Sequence, residues 1–234
     1  MKIFQKGFNY SQDGPGNRLV YHLSGCNMRC WWCANPEGMT PSENDKSYTA
    51  ADIVKEAESC RMMFFDGGGV TFTGGEATLD AEELTEALKG LKEKGIHTAL
   101  ETNGTSPKLL DILEYTDFLI MDFKHFDDAK MKEYTGISTE QIKRNYEEIC
   151  KRGRQCLIRI PLIAEFNGGC EEGFAEYLSA FDTKNVVFEF LKYHEFGKNK
   201  WKSEYKIKNG FVTEETVNRF KEEFKKHGLN YIET

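Results

Sequence analysis

The sequence predicts a single α/β domain built on a mainly parallel sheet. Short segments rich in β-branched and aromatic residues alternate with longer segments that carry apolar residues at helical spacing. The short segments are apolar nearly throughout, as expected of parallel strands that are buried on both faces. With right-handed crossovers, this alternation gives either a doubly wound sheet or a full or partial barrel. The predicted strands span residues 18–24, 69–74, 96–102, 117–123, 155–162 and 185–192.

Capping residues mark the helices that connect these strands. A Thr or Asp stands at each predicted N-cap, and a glycine follows most of the predicted C-termini. The N-caps are Thr49, Asp80, Thr139 and Thr213, and the glycines are Gly95, Gly153 and Gly228. No internal repeat, low-complexity segment or linker divides the chain, and 234 residues suit one α/β barrel. We therefore expect one domain over residues 1–234.

Composition excludes several classes of function. The chain has 31 Lys and Arg against 38 Asp and Glu, and its net charge of -7 makes nucleic acid an unfavourable partner. No apolar run approaches the ~20 residues that a membrane-spanning helix needs, and the N-terminal segment lacks the apolar core of a signal peptide. Seven cysteines, three clustered and four scattered, do not form a secreted disulfide framework. We expect a cytoplasmic protein with a metal site and no membrane partner.

Polar residues follow the C-terminal end of every predicted strand. In a parallel α/β barrel the active site is built at this edge. Polar residues also end strands that have no function, but six such loops together favour one common site. They are the loop of Cys26, Cys30 and Cys33 after the first strand, residues 73–77 after the second, Glu101 to Asn103 after the third, Asp122 and Lys124 after the fourth, Arg159 late in the fifth, and residues 193–201 after the sixth.

The cysteine loop limits the type of metal site. Cys26, Cys30 and Cys33 lie within eight residues, and soft thiolate ligands select iron–sulfur clusters, zinc or copper(I). Three thiolates can hold three irons of a 4Fe-4S cluster and leave the fourth open to a substrate. Zinc would need another ligand, for which His22 is the nearest candidate, and a redox dithiol would leave Cys26 unexplained. The open cluster is the favoured interpretation, and the other two remain alternatives.

The motifs of the chain resemble those of a known family. The spacing Cys26-x3-Cys30-x2-Cys33, with Trp32 before the last cysteine, resembles the cluster loop of the radical S-adenosylmethionine (SAM) superfamily, and "GGEA" resembles its Gly-Gly-Glu motif. The further motifs "DGPGNR", "ETNG", "MDFKHF" and "YHEFGKNKW" resemble the glycyl-radical-enzyme activating enzymes. Only Cys60 lies between Cys33 and "TGGEA", so the chain is similar to the minimal form without a ferredoxin-like insert.

The resemblance implies a partial (β/α)6 TIM-like barrel, with the active site at the C-terminal ends of the parallel strands. It also implies an oxidoreductase of anaerobic metabolism with one 4Fe-4S cluster and SAM as cofactors. One electron would cleave SAM to methionine and a 5'-deoxyadenosyl radical, which would take a hydrogen atom from a backbone glycine of a partner glycyl radical enzyme. The reductant would be a flavodoxin or a ferredoxin. Cys26, Cys30 and Cys33 would be the metal ligands.

The resemblance also assigns residues to SAM. Gly74 and Gly75 would let the backbone approach the ligand, and Glu76 would accept a hydrogen bond from its ammonium group. Trp32 would lie near the adenine. The remaining expected contacts to SAM are Asp122, Lys124, Arg159 and His194. The alternatives are strand-end ion pairs for Lys124 and Arg159 and an ordinary partly buried histidine for His194.

Two further features are expected from the resemblance. A monovalent cation would lie beside Glu101, the backbone oxygens of Thr102 and Ile120, and Asp122. The family has Asp at the position of Glu101, so the extra methylene is a departure from its pattern. Asp13 and Gly14 of "DGPG", together with "YHEFGKNKW", would hold the glycine-bearing loop of the partner.

Two other functions remain possible on the sequence alone. A compact radical SAM enzyme that acts on a small molecule would share the cluster loop and "GGE" but not "DGPG" and "YHEFGKNKW". A zinc-binding or thiol-based interaction module would have no catalytic activity. The two subfamily motifs favour the activating enzyme over both alternatives.

Overall fold

The structure is a computed structural model that describes residues 1–232, and the chain forms two compact units. The first unit contains Met1–Asn27, Asn35–Thr102 and Ser106–Ile120. The second contains Met28–Ala34, Asn103–Thr105 and the chain from Met121 onward. The prediction of one domain over residues 1–234 is not tested by this division and stays a prediction.

The first unit contains most of the strands. Hydrogen bonds order them β3-β1-β2-β4-β5-β6, with β2, β4 and β5 parallel and β1 antiparallel to both of its neighbours. The parallel strands are buried along nearly their whole length, which agrees with their continuous apolar sequences. The strands are β1 (Lys2–Tyr10), β2 (Asn17–Leu23), β3 (Lys46–Ser47), β4 (Gly69–Gly74), β5 (His97–Thr102) and β6 (Phe118–Asp122), whose last two residues belong to the second unit.

Three helices complete the first unit: α1 (Ala50–Ser59), α2 (Ala81–Glu93) and α3 (Leu109–Ile112). A capping box begins α1, because the Thr49 hydroxyl accepts from the Asp52 amide while the Asp52 carboxylate accepts from the Thr49 amide. Helices α1 and α2 pack closely, since a Cβ built on Gly90 would lie 2.7 Å from a methyl group of Val54. The predicted cap Asp80 precedes α2 but makes no side-chain capping bond.

The second unit packs helices and two parallel strands around an aromatic core. Rings of Phe174, Phe190, Phe220 and Phe224 lie against one another, with centroid distances between 4.9 and 6.5 Å. Its elements are α4 (Asp128–Thr135), α5 (Glu140–Lys151), β7 (Cys156–Leu162), α6 (Ala164–Asn167), α7 (Glu171–Ser179), β8 (Val186–Lys192) and α8 (Glu214–Lys226). Within residues 1–232 no helix is both long and apolar enough to span a membrane.

The six predicted strands are confirmed to within one residue at each end. Strand β1 was not predicted, because it is largely exposed and therefore lacks the apolar run of a buried strand. Helices α4 and α7 were not predicted either. Helix α4 has little amphipathic character in its sequence "DAKMKEYT" and ends at Gly136, whose φ of 80° is the left-handed conformation that glycine favours.

A neutral histidine lies in the core of the second unit. His125 is 2% exposed and lies among the rings of Phe126, Phe166 and Phe174. Its Nδ1 accepts a hydrogen bond of 2.9 Å from the Asp127 amide, and a proton on Nδ1 would remove this bond. Burial lowers the pKa of His125 to about 4, so the imidazole stays neutral in the folded protein.

The folded chain should therefore lose stability as the pH falls from about 6.5 to about 4. Over this range the unfolded chain binds a proton at His125 and the folded chain does not. We expect His125→Phe to reduce the pH dependence of the free energy of unfolding by about 2–3 kcal/mol, as measured by urea denaturation across this range. The exposed His227→Gln variant is the control. An unchanged pH dependence in His125→Phe would contradict the assignment.

Candidate functional site

The end of β4 packs against the start of the cysteine loop, within the first unit. The Gly75 amide donates to the Leu23 carbonyl oxygen and the Glu76 amide to that of Gly25, both at 2.7 Å. A Cβ built on Gly75 would lie 2.1 Å from the Gly25 oxygen and 2.5 Å from the Gly38 oxygen. Gly74 has a φ of 120°, and its Cβ would lie 2.3 Å from the Leu23 nitrogen. The glycine pair is thus required for backbone packing, and its contact with SAM stays a prediction.

Backbone hydrogen bonds also hold the residues around Cys26. The Gly25 amide donates to the Gly38 oxygen at 2.8 Å, and the Cys26 amide donates to the Met39 oxygen at 3.0 Å. Both acceptors belong to the short 3-10 helix Pro36–Met39. The half-buried Cys26 is therefore positioned by main-chain bonds that do not depend on its thiol.

Glu76 is held between the ends of two strands. It is 3% exposed, and its Oε1 accepts from the amide of Thr78 at 3.0 Å, from the hydroxyl of Thr78 at 2.5 Å and from the hydroxyl of Thr102 at 2.6 Å. The hydroxyl of Thr73 donates to the Oε2 of Glu101 at 2.8 Å. Both carboxylates therefore have a fixed orientation at the C-terminal ends of β4 and β5.

A buried arginine lies beneath the "DGPG" loop. Arg18 is 0% exposed, and its guanidinium donates to the carbonyl oxygens of Pro15 at 3.0 Å and Val70 at 2.7 Å and to the Thr71 hydroxyl at 2.6 Å. The same hydroxyl donates to the carbonyl oxygen of Asp13 at 2.8 Å. Burial lowers the pKa of Arg18 to about 10, which leaves it charged at pH 7. Arg18 therefore fixes the loop to β4.

The conformation of the loop requires glycine. Gly14 has a φ of 121°, and a Cβ there would lie 3.1 Å from the Arg18 side chain. The half-buried Asp13 carboxylate accepts a hydrogen bond from the side-chain amide (Nδ2) of Asn9. Arg18 was not predicted as a site residue. The signal was an arginine at the beginning of an otherwise apolar strand, "NRLVYHL".

The second half of the cysteine loop is held within the second unit. The Trp31 amide donates to the Tyr134 oxygen at 3.1 Å at the end of α4. The indole of Trp201, from "YHEFGKNKW", donates to the Cys33 carbonyl oxygen at 3.0 Å. A Cβ on Gly197 would lie 2.5 Å from the Ala34 backbone. Cys30 is 8% exposed and Cys33 is half-buried. The motif "YHEFGKNKW" therefore helps to hold the cysteine loop.

Trp32 packs against an aromatic side chain of its own unit. Its ring lies 4.7 Å from that of Phe166, and Phe166 in turn lies 5.0 Å from the ring of His125. This packing orients the indole without a ligand. Its predicted position near the adenine stays a prediction.

The second unit has one ion pair at the end of β6 and another in the middle of β7 and β8. Lys124 Nζ is 2.5 Å from Asp122 Oδ2, and Arg159 Nε is 2.7 Å from Glu189 Oε2. These are the ion pairs that the sequence analysis gave as alternatives to SAM contacts, and they do not test those contacts. Glu189 was missed, although it faces Arg159 directly in the parallel register of β7 and β8. A lone glutamate in the apolar segment "VVFEFLK" was the available signal.

His194 is exposed and stacks on Phe196, with ring centroids 4.4 Å apart. The alternative of a partly buried histidine is therefore wrong. The expected contact with SAM stays a prediction.

The described residues supply suitable donors for an iron–sulfur cluster. Within residues 1–232 no three His, Cys, Asp or Glu side chains are grouped so that they could hold one metal ion. The loop supplies three thiols at Cys26, Cys30 and Cys33, and each end of it is hydrogen-bonded to neighbouring backbone. Soft thiol donors on a loop held independently of the metal fit a 4Fe-4S cluster.

Comparison with known proteins identifies the family. Residues 20–178 match the family model described as the radical SAM superfamily. The chain is 34% identical over 206 residues to the pyruvate formate-lyase 1-activating enzyme of Escherichia coli strain K12. The matched residues cover 83% of this chain and 82% of the relative. It is 36% identical over 205 residues to the pyruvate formate-lyase-activating enzyme of Streptococcus mutans, which covers 82% of this chain and 77% of the relative.

Solved structures agree with this result. A domain of the pyruvate-formate lyase-activating enzyme of Bacteroides vulgatus matches with a TM-score of 0.61 and 26% identity, over 71% of this chain and 98% of that chain. Streptococcus suis SuiB bound to S-adenosylmethionine matches with a TM-score of 0.65 over 91% of this chain and 49% of that chain, at an identity of 18% that shows the fold alone. The predicted α/β fold of the partial-barrel type is confirmed. The chain belongs to the radical SAM superfamily and, within it, to the glycyl-radical-enzyme activating enzymes.

Proposed function

We propose that this enzyme forms a glycyl radical on a partner enzyme that docks at the "DGPG" loop. The observation that carries the proposal is the rigid loop of Asp13 and Gly14, fixed from below by the buried Arg18. The Asp13 carboxylate on this loop would accept hydrogen bonds from the backbone of a partner peptide, which a small substrate does not have. The relatives are named for pyruvate formate-lyase, so an enzyme of that type is the first partner to test.

An exposed apolar surface beside this loop supports docking of a protein. Tyr10, Met63 and Phe65 are each about half exposed, and the rings of Tyr10 and Phe65 stack at 6.0 Å. The surface is joined to the loop, because the Asn17 amide donates to the Phe65 oxygen at 3.1 Å. Exposed apolar patches of this kind mark protein interaction sites.

Cys26, Cys30 and Cys33 would hold the 4Fe-4S cluster, which leaves one iron for SAM. When bound and reduced by one electron, the cluster and SAM would supply methionine and a 5'-deoxyadenosyl radical that can abstract a hydrogen atom from the partner's glycine. The protein's own task is to orient the reactants and exclude water, since a carbon radical reacts with almost any nearby C–H bond.

The charged residues would orient SAM rather than attract it by net charge. Lys124 and Arg159 are each paired with a carboxylate, so each pair is close to neutral and presents a fixed donor. Glu76 would accept from the ammonium group, and its three hydrogen bonds hold it ready to do so. Gly74, Gly75, Trp32 and His194 complete the proposed SAM contacts.

The monovalent cation remains a prediction. Asp122 carries the Lys124 ion pair, and Glu101 is held by Thr73. A cation there would share these carboxylates with the lysine and the threonine hydroxyl.

We also propose a cytoplasmic location and a flavodoxin or ferredoxin as the reductant. Thiolate ligands must stay reduced, and the cytoplasm maintains that condition. The net charge of -7 disfavours nucleic acids and anionic membranes as partners, because it repels phosphate groups.

Anaerobic reconstitution tests the function directly. The enzyme with cluster, SAM, dithionite and a pyruvate formate-lyase should give the doublet electron paramagnetic resonance spectrum of a glycyl radical. Deoxyadenosine without this doublet on any candidate glycyl radical enzyme would favour a small-molecule substrate. Purified protein that holds zinc and no sulfide would contradict both radical functions.

The cysteine assignment predicts the effect of single substitutions. Cys26→Ala, Cys30→Ala or Cys33→Ala should each reduce deoxyadenosine formation to background, because each removes one thiolate ligand. Cys60→Ala is the matched control, since Cys60 is half-buried at the end of α1, and it should leave SAM cleavage intact. Normal turnover in Cys30→Ala would refute the ligand assignment.

The role of Asp13 predicts a separation of two activities. Asp13→Ala should lower the yield of glycyl radical by about tenfold or more, as expected for the loss of a hydrogen bond to a charged group, while uncoupled SAM cleavage changes little. Asp111→Asn, at an exposed aspartate of α3 in the same unit, is the control. Equal losses of both activities in Asp13→Ala would show that Asp13 acts on the cofactor site or the fold instead.

A further inference from the structure

A basic segment begins within the motif "YHEFGKNKW", which helps to hold the cysteine loop. Residues 198–208, "KNKWKSEYKIK", contain five lysines and one glutamate in a chain whose net charge is -7. All five lysines are exposed. Because the five lysines lie close together in the sequence, their like charges repel one another. The rest of the chain is acidic. This group of lysines calls for an explanation beyond solubility, because an acidic protein is already soluble.

The segment has a defined position and is not a loose tail. The hydroxyls of Tyr193 and Tyr205 lie 3.0 Å apart, and the rings of Trp201 and Tyr205 meet edge to face at 5.6 Å. The Glu165 carboxylate accepts hydrogen bonds from the amides of Lys208 and Asn209. The lysines are therefore displayed on a fixed backbone.

The same segment contacts the cysteine loop directly. Trp201, which has a lysine on either side, donates to the Cys33 carbonyl oxygen at 3.0 Å. Lys206 Nζ lies 4.9 Å from the centroid of the Trp31 ring, and Trp31 is the residue after Cys30. The basic segment is thus the exposed cover of the loop that supplies Cys30 and Cys33.

We propose that residues 198–208 form the docking surface for an acidic flavoprotein that carries single electrons. This proposal rests on the proposed function, in which each SAM cleavage consumes one electron. In the docked complex the carrier is oxidised by one electron and the cluster is reduced by one, and no bond forms or breaks in that step. Electron transfer weakens steeply with distance, so a carrier must bind where the protein cover over the cluster ligands is thin.

Charge complementarity selects the partner. An acidic carrier is repelled by the enzyme as a whole but is attracted at short range by a local lysine surface, because the Debye length is about 8 Å at physiological ionic strength. Such a surface speeds association and lets the complex dissociate again quickly. This suits a carrier that must leave after delivering one electron.

The test compares two charge-reversed variants of the reconstituted enzyme. The docking variant carries Lys202→Glu, Lys206→Glu and Lys208→Glu. The control carries Lys55→Glu, Lys184→Glu and Lys225→Glu at exposed positions outside the segment, so the two have the same net charge. A double variant, Lys202→Glu with Lys208→Glu, preserves the Lys206 contact with Trp31 in case the triple variant folds poorly.

The probe is a purified bacterial flavodoxin, and its association with the enzyme is measured at low and at physiological salt. We expect the docking variant to associate with flavodoxin at least about tenfold more slowly than the wild-type enzyme. The rate should also depend less on salt, and the control variant should resemble the wild type in both respects. Deoxyadenosine formation driven by dithionite should be unchanged in both, because dithionite does not need a docking surface.

Three results would overturn the proposal. The first is that the docking variant and the double variant bind flavodoxin as fast as the wild-type enzyme does. The second is an equal loss in the docking and control variants, which would assign the effect to net charge. The third is a loss of affinity for the glycyl radical enzyme and not for flavodoxin. If no glycyl radical forms with dithionite but only the docking variants lose flavodoxin, the surface stands and the proposed function fails.

Discussion

The packing of Gly75 against the carbonyl oxygens of Gly25 and Gly38 is the constraint on which the first half of the site depends. No side chain fits at this position, so the end of β4 and the start of the cysteine loop can approach until their backbones form hydrogen bonds. These backbone hydrogen bonds do not depend on whether the thiol of Cys26 is protonated or bound to a metal. The loop can therefore be held in place before the metal binds, which lowers the ordering cost of binding it.

The charged groups of the site are also held in a fixed orientation before a ligand binds. Glu76 is held by two threonines, and Lys124 and Arg159 are each oriented by a carboxylate. Buried charges without such partners would be costly, and flexible ones would have to be ordered when the ligand binds. Pairing solves both problems, and it also explains why these residues resemble structural ion pairs. A structural pair and a pre-oriented ligand contact need the same geometry.

The six parallel strands and the cysteine loop could be predicted from sequence because their signals are local. A buried parallel strand is a continuous apolar run, and three cysteines in eight residues are a local pattern. The contacts that hold the site are not local. The indole of Trp201 bonds to a carbonyl 168 residues earlier, and Arg18 is satisfied mainly by carbonyl oxygens. Every residue has a backbone carbonyl oxygen, so the sequence does not show which one accepts a given hydrogen bond. These partners could be found only in the folded chain.

The two proposed interaction surfaces differ in a way that fits the times for which their partners must stay. The surface of Tyr10, Met63 and Phe65 is apolar, and burial of apolar area slows dissociation without directing approach. The segment 198–208 is basic, and charge directs approach without holding a complex strongly at physiological salt. A substrate peptide must be held still while a radical forms, whereas an electron carrier must arrive, transfer and leave. Because one kind of surface cannot do both well, an enzyme that serves two protein partners benefits from two surfaces of opposite physical character.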